Sequence, residues 1–265
     1  MAIYSRQEIK KILSEFGIRP KKEFGQTFLI SETIAQRMVE FANIDEKDIA
    51  LEPGAGLGGL SKFIYITGCK LICVEKDPRM VLFLRNILPE AEVICGDILK
   101  IDPARFTKNK LKFVGNPPYA ISNELIQYIA RHRRKFENIV LSLQVEFIKK
   151  LTASHNEKQY GWHSVFMQYL FDIEVGFDVP PSAFYPRPKI WSRVVRFTPK
   201  EQEDIDITRF IKALQRIFNF PHREIKNNLG TKIEEISRID LRKRPVDLPV
   251  DEIVILAKKV MRGEL

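Results

Sequence analysis

The chain has 265 residues, of which 45% are hydrophobic, 29% charged and 10% aromatic. That balance fits one large domain, or a domain of about 200 residues with a small appendage, and excludes a disordered, collagen-like or disulfide-stapled chain. No apolar run approaches the roughly 18 residues of a membrane span, and Met1 to Lys11 is charged and amphipathic, so the expectation is a cytoplasmic protein without a membrane partner.

Lys and Arg number 43 against 34 acidic residues, a net charge of +9, most of it on residues 1–199. Such an excess favours a polyanionic partner. Cys69, Cys73 and Cys95 form no C-x-x-C pair and sit in apolar stretches, which predicts buried thiols in a reducing compartment. The four histidines show no zinc spacing. The expected catalyst uses neither a metal nor a covalent nucleophile.

The elements follow in chain order. Ile3 to Phe16 has helical periodicity, with Ile9, Ile12, Leu13 and Phe16 on one face. Ser31 reads as the N-cap of a helix running to about Asn43. A strand over Ile49–Glu52 leads through a Gly-rich turn to a helix over Leu57–Thr67. Further strands are expected at Lys70–Glu75, Glu92–Gly96, Leu111–Gly115 and Asn138–Leu143, with helices opening at Asp77 and at Ser122, the latter reaching Lys135. This alternation predicts a doubly wound, mostly parallel α/β sheet of the Rossmann-like kind. Phe171–Val179 and Ser192–Phe197 read as two closing strands, at least one antiparallel, which makes seven. Beyond the acidic run Glu201–Asp206 the chain is helical, at Thr208–Phe218, Arg223–Leu229 and Asp251–Met261. The expected domains are residues 1–199, with 1–30 as a basic N-terminal segment, and a small all-helical domain over 200–265.

The first candidate site is Leu51-Glu52-Pro53-Gly54-Ala55-Gly56-Leu57-Gly58-Gly59, where a strand ends and a helix opens. Glycines at 54 and 56 let the backbone approach a ligand at the carboxyl edge of the sheet. Glu75, ending the second strand of the rhythm, can accept hydrogen bonds from both hydroxyls of a ribose. Asp97 can reach the exocyclic amine of an adenine ring. Together they describe the adenosine half of a cofactor and leave NAD and S-adenosylmethionine both open.

The second is Gly115-Asn116-Pro117-Pro118-Tyr119. An adenine amine is a poor nucleophile because its lone pair is delocalised into the ring. The side-chain oxygen of Asn116 and the carbonyl of Pro117 can accept its hydrogens and direct the lone pair at a methyl donor. The prolines stiffen the loop that carries both acceptors. Tyr119 offers a ring for base stacking. This chemistry favours S-adenosylmethionine.

These residues resemble the ribosomal RNA adenine dimethyltransferases of the KsgA type, with the Erm methylases as close relatives. The resemblance starts at Lys22-Glu23-Phe24-Gly25-Gln26-Thr27-Phe28-Leu29 and includes Tyr160–Val165. It is strongest in Val179-Pro180-Pro181-Ser182-Ala183-Phe184-Tyr185-Pro186-Arg187-Pro188-Lys189. It implies a donor, S-adenosyl-L-methionine, leaving as S-adenosyl-L-homocysteine. It implies a substrate, two adjacent adenines near the 3′ end of small-subunit ribosomal RNA, each dimethylated at N6 during ribosome biogenesis. By the same resemblance Thr27, Leu29, Gly54, Gly56, Glu75, Asp97 and Asn116 would contact the cofactor. Phe184 would face Tyr119 as a second aromatic wall. Three positions depart from the family pattern: Pro117 stands for Leu, Thr27 for Asn, and Arg193 for a small residue. Pro117 also matches DNA adenine methyltransferases. A large-subunit RNA methylase, a DNA methylase and a non-catalytic assembly or transcription factor are therefore the alternatives. Expected RNA contacts are Arg187, Lys189, Lys21, Lys22, Arg131, Arg134 and Arg223, on a chain expected to be a monomer.

Overall fold

The computed structural model describes residues 5–18 and 27–265. The chain divides into two compact units, Met1–Val145 with Glu174–Pro199, and Glu146–Ile173 with Lys200–Leu265.

The first unit opens with α1 (Arg6–Glu15), β1 (Phe28–Leu29), α2 (Glu32–Ala42), β2 (Ile49–Pro53) and α3 (Ser61–Tyr65). It continues with β3 (Lys70–Glu75), α4 (Pro78–Ile87), β4 (Glu92–Cys95), β5 (Leu111–Gly115), α5 (Ser122–Arg131) and β6 (Phe136–Gln144). After α6 (Val145–Thr152) and α7 (Trp162–Leu170) come β7 (Phe171–Val179), β8 (Phe184–Tyr185) and β9 (Ser192–Pro199). Seven strands make one sheet in the order β4-β3-β2-β5-β6-β9-β7. The pairs from β4 through β6 are parallel, and β9 runs antiparallel to β6. The expected seven-stranded, mostly parallel sheet is therefore present.

Local chemistry accounts for the boundaries. Strands covered on both faces read as continuous apolar runs, and Leu111, Phe113, Val114 and Ile139–Leu141 are indeed fully buried. Ser31 caps α2 by accepting the Ile34 N–H at 3.4 Å, and Asn43 ends it in the left-handed conformation. Asp77 caps α4 by accepting the Arg79 N–H at 2.9 Å, with Pro78 in the first turn. The helix expected from Leu57 begins only at Ser61, because Gly58 holds a positive φ inside the preceding loop. The helix expected to reach Lys135 stops at Arg131 and gives way to a 3₁₀ turn. Cys69 and Cys73 are buried as expected, whereas Cys95 is exposed, since β4 is the edge strand of the sheet.

Strand order reverses at β2. β3 and β4 are added on one side of it and β5 on the other. The carboxyl ends of β2 and β5 thus flank a switch point, where loops diverge and leave a crevice. A separate antiparallel pair, β1 with β8, lies outside the main sheet, with Phe28 opposite Tyr185 and Leu29 opposite Phe184.

The second unit is larger than the expected 200–265, because it includes Glu146–Ile173. It holds α7, α8 (Ile207–Ile217), α9 (Ile225–Leu229), a short hairpin of β10 (Glu235–Ile236) and β11 (Ile239–Asp240), and α10 (Val250–Arg262). Helix α7 is apolar almost all round, and Val165, Phe166, Met167 and Leu170 are buried. Such a helix needs cover on several sides. It finds some in Phe210 of α8, whose ring lies 6.3 Å from Phe166 and 5.4 Å from Tyr169.

Candidate active site

A cavity of about 600 Å³ opens at the switch point of the first unit. The loops after β2, β3, β4 and β5 all contribute to it, through Gly54 and Gly56, Glu75–Arg79, Gly96–Ile98, and Asn116, Pro118, Ala120 and Ile121. Thr27 and Phe28 line it from the β1 side. Of the expected cofactor contacts, Thr27, Gly54, Gly56, Glu75, Asp97 and Asn116 are thereby brought to one crevice. Leu29 is fully covered and lines a small adjoining space with Thr27, Glu52, Gly54, Gly56 and Asn116.

The loop after β2 is shaped by close approach. At Gly56, with φ +58°, an added Cβ would come within 3.1 Å of the Phe28 ring. At Gly59 it would lie 2.2 Å from the carbonyl oxygen of Leu29. No side chain fits between the loop and β1 there.

Glu75 organises the loop from the neighbouring strand. One carboxylate oxygen accepts the Gly56 N–H at 2.9 Å, and the other accepts the N–H groups of Lys76 at 2.7 Å and Asp77 at 2.9 Å. A carboxylate has about four lone-pair sites, so one remains beside the cavity. Burial pushes the Glu75 carboxyl up, and the three N–H groups partly offset that shift. Asp97 accepts the Leu99 N–H at 3.1 Å and pairs with Lys76 Nζ at 3.3 Å, both on the cavity rim. Arg79, a rim residue without a sequence signal of its own, grips Asp77 and donates to the Gly17 carbonyl at 2.6 Å, tying the end of the first helical segment to the crevice.

Glu52 is 2% exposed, with Cys73 Sγ 3.8 Å from its carboxyl. Burial pushes that carboxyl up to about 8, so it carries its proton at neutral pH.

In the loop after β5 the side-chain oxygen of Asn116 is buried and has no hydrogen-bond partner among the described residues. A buried amide oxygen left unpaired costs roughly 1–3 kcal/mol. Such an acceptor, on a residue that lines a crevice of this size, fits a ligand that donates to it. Pro117 is buried behind the loop, and Pro118 takes the place on the cavity wall. Tyr119 is half-buried, and its hydroxyl is hydrogen-bonded to that of Ser192 at the start of β9. Burial pushes the Tyr119 phenol up, with Ser192 opposing. Nothing in local sequence pairs positions so far apart.

Phe184 does not form a second wall here. Pairing of β8 with β1 turns it into the apolar core, fully buried, among residues that include Leu29, Ala183 and Val194. Arg187 and Lys189 are exposed on the connection from β8 to β9, which leads directly into Ser192. Arg131 and Arg134 are exposed but are not brought to the cavity. α5 leaves the site at Ser122 and rises about 15 Å, so they lie where β6 begins, at the opposite edge of the sheet. Arg223 is exposed in the second unit, with its guanidinium 4.4 Å above the Phe220 ring. Lys21 and Lys22 lie outside the described residues. Arg193 has a structural explanation: from β9 it forms a two-pronged ion pair with Asp178 on neighbouring β7.

Several known proteins are similar to this chain over most of its length. The chain is 33% identical over 247 residues to ribosomal RNA small subunit methyltransferase A of Chlorobaculum parvum, covering 92% of this chain and 90% of that protein. It is also 33% identical over 254 residues to the protein of the same name from Thermotoga maritima, covering 95% and 89%. In fold it is similar to a dimethyladenosine transferase from Plasmodium falciparum, with TM-score 0.76, 21% identity and coverage of 89% and 98%. The 23S rRNA methyltransferase ErmE is similar too, with TM-score 0.68, 21% identity and coverage of 88% and 98%. The model of the family described as ribosomal RNA adenine dimethylase matches residues 17–254, and the chain belongs to that family.

Proposed function

We propose that this chain transfers methyl groups from S-adenosyl-L-methionine to the N6 amines of two adjacent adenines near the 3′ end of small-subunit ribosomal RNA. The products are N6,N6-dimethyladenine and S-adenosyl-L-homocysteine. The family and the two relatives named for the small subunit support this substrate. The protein would act as a monomer in the cytoplasm, on an assembling subunit.

The observation that carries the reading is Asn116, a lining residue of the switch-point cavity whose side-chain oxygen is buried and has no partner among the described residues. The residues fit the cofactor. Glu75 retains an acceptor site for ribose hydroxyls, Asp97 offers a carboxylate to an adenine amine, and the Gly54–Gly56 loop admits close contact. Thr27 and Asn116 reach both the cavity and the small adjoining space, where Glu52 and Leu29 lie. When bound, S-adenosylmethionine supplies an electrophilic methyl group.

The chain's own task is to hold the amine. In the first transfer Asn116 Oδ1 and the Pro117 carbonyl accept its two hydrogens, and in the second one of them accepts the single hydrogen left, which localises the nitrogen lone pair for attack. Tyr119, held by Ser192, offers its ring to the base. The product nitrogen is acidic and sheds its proton to water, so no general base is needed. Alignment and preorganised acceptors do the catalysis. Splaying the base out of folded RNA precedes all of this.

The test is labelled S-adenosylmethionine with undermethylated small subunits, and with large-subunit RNA and DNA as competitors, followed by mass spectrometry of the nucleosides. Dimethyladenosine confined to small-subunit RNA is expected, which would also show that Pro117 permits the second methylation. Label in DNA or large-subunit RNA would overturn the substrate assignment.

A further inference from the structure

The connection from β8 to β9 carries a large apolar side chain where folding gives no reason for one. Trp191 is 53% exposed and Ile190 beside it 43%, while the next residue, Ser192, is fully buried. Exposed tryptophan usually marks a binding surface rather than a fold requirement. Its backbone is fixed on both sides. The Trp191 carbonyl accepts the Val145 N–H at 3.2 Å, and Ser192 is in register with Gln144 of β6. The ring therefore projects from a rigid base rather than a loose loop.

Its neighbours identify its partner. Ser192 holds the Tyr119 hydroxyl, so the exposed indole sits next in sequence to the group that anchors the base-binding loop. Arg187 and Lys189 are exposed immediately upstream. An exposed, rigid aromatic beside cations on a chain of net charge +9 has the composition of a single-strand nucleic-acid platform. An apolar protein surface would gain nothing from the two cations.

We propose that Trp191 stacks on an unpaired base flanking the target adenine, and so positions the RNA without touching the reacting atoms. This rests on the RNA substrate proposed above. The indole stabilises the flanking nucleotide while Tyr119 and Asn116 receive the target, which gives the enzyme a hold on two bases at once.

The experiment compares wild type, Trp191→Ala and Trp191→Phe on an RNA fragment containing the target adenines. KM for RNA, kcat and the intrinsic tryptophan emission are recorded. The chain has two tryptophans, so emission lost in Trp191→Phe reports on position 191. The expected results are an RNA KM raised about tenfold in Trp191→Ala, the size of one base–aromatic stack, with kcat and cofactor affinity unchanged. Trp191→Phe should restore KM, and the quenching by RNA seen in wild type should vanish in it. An unchanged KM in Trp191→Ala, or equal quenching in wild type and Trp191→Phe, would overturn the platform. Quenching that maps to Trp191 without methyl transfer to any small-subunit RNA would instead sink the substrate assignment and leave the platform standing.

Discussion

The hydroxyl of Tyr119 is hydrogen-bonded to the hydroxyl of Ser192, joining the loop after β5 to the antiparallel strand β9. Ser192 is fully buried, so the bond sets the tilt of the Tyr119 ring from a fixed point. Ser192→Ala leaves the half-buried phenol short of a partner, which costs about 1–3 kcal/mol. We expect kcat to fall about tenfold with cofactor affinity unchanged. Adding Tyr119→Phe should recover part of the loss, since removing both partners is milder than removing one. A double-mutant cycle on single-turnover rates measures the coupling. Strictly additive effects would mean that the bond does not position the ring.

Asn116→Ala removes the buried acceptor but leaves the prolines and the backbone carbonyl. Loss of one preorganised hydrogen-bonding group typically costs about 10²–10³ in rate. Methyl transfer should fall by that order while RNA affinity stays near wild type. Rapid-quench kinetics beside filter binding separates the two, and wild-type turnover would remove Asn116 from the chemistry.

Glu52 predicts a pH dependence of stability. Its carboxyl sits at about 8 when folded against an ordinary 4.5. Between these values the folded chain holds a proton that the unfolded chain has lost. Stability from this group is therefore fully present below about 4.5, falls as pH rises towards 8, and is flat above. The slope is about 1.4 kcal/mol per pH unit. Glu52→Gln is neutral throughout and should gain on wild type steadily across that window in urea unfolding at a series of pH values. A constant difference would show that Glu52 titrates as an ordinary carboxylate.

Reversing the charges of Arg187 and Lys189 should weaken RNA binding and lower the magnitude of its salt slope. Each phosphate contact contributes about 0.7–0.9 to that slope. Binding measured from low to moderate salt gives the change directly, and an unaltered slope would place the RNA path elsewhere.

Much of the first unit was legible in the sequence because its signals are local. Apolar runs alternate with capped helices, and Ser31, Asp77 and the glycines sit at element boundaries that they help to create. Gly54, Gly56, Glu75, Asp97 and Asn116, which line the cavity, were legible for the same reason, since each ends or follows a parallel strand, whereas Thr27 and Leu29 were singled out by family resemblance alone. Long-range pairing was not legible. The family resemblance made Phe184 a second wall of the site, and its pairing opposite Leu29 makes it core. Ser192 gave no sign of serving Tyr119. Arg193 was unexplained until Asp178 lay beside it on the neighbouring strand. Residues 146–173 looked like an extension of the sheet domain, whereas the apolar surface of α7 is met by helices from the far end of the chain.

The pairing of β1 with β8 has a consequence for the order in which the protein is made. Residues 28 and 29, near the start, meet residues 184 and 185, and Ile30 donates its N–H to the carbonyl of Ala183 at 2.8 Å. Strand β9 enters the sheet between β6 and β7, which are made earlier. During synthesis at about 5–20 residues per second, the glycine loop and its carboxylates emerge early. The strip that backs Leu29 arrives only when some two-thirds of the polypeptide has left the ribosome. A nascent chain thus carries the motif for many seconds before it has the finished crevice. A truncation ahead of residue 184 would remove this backing from a motif that it leaves untouched.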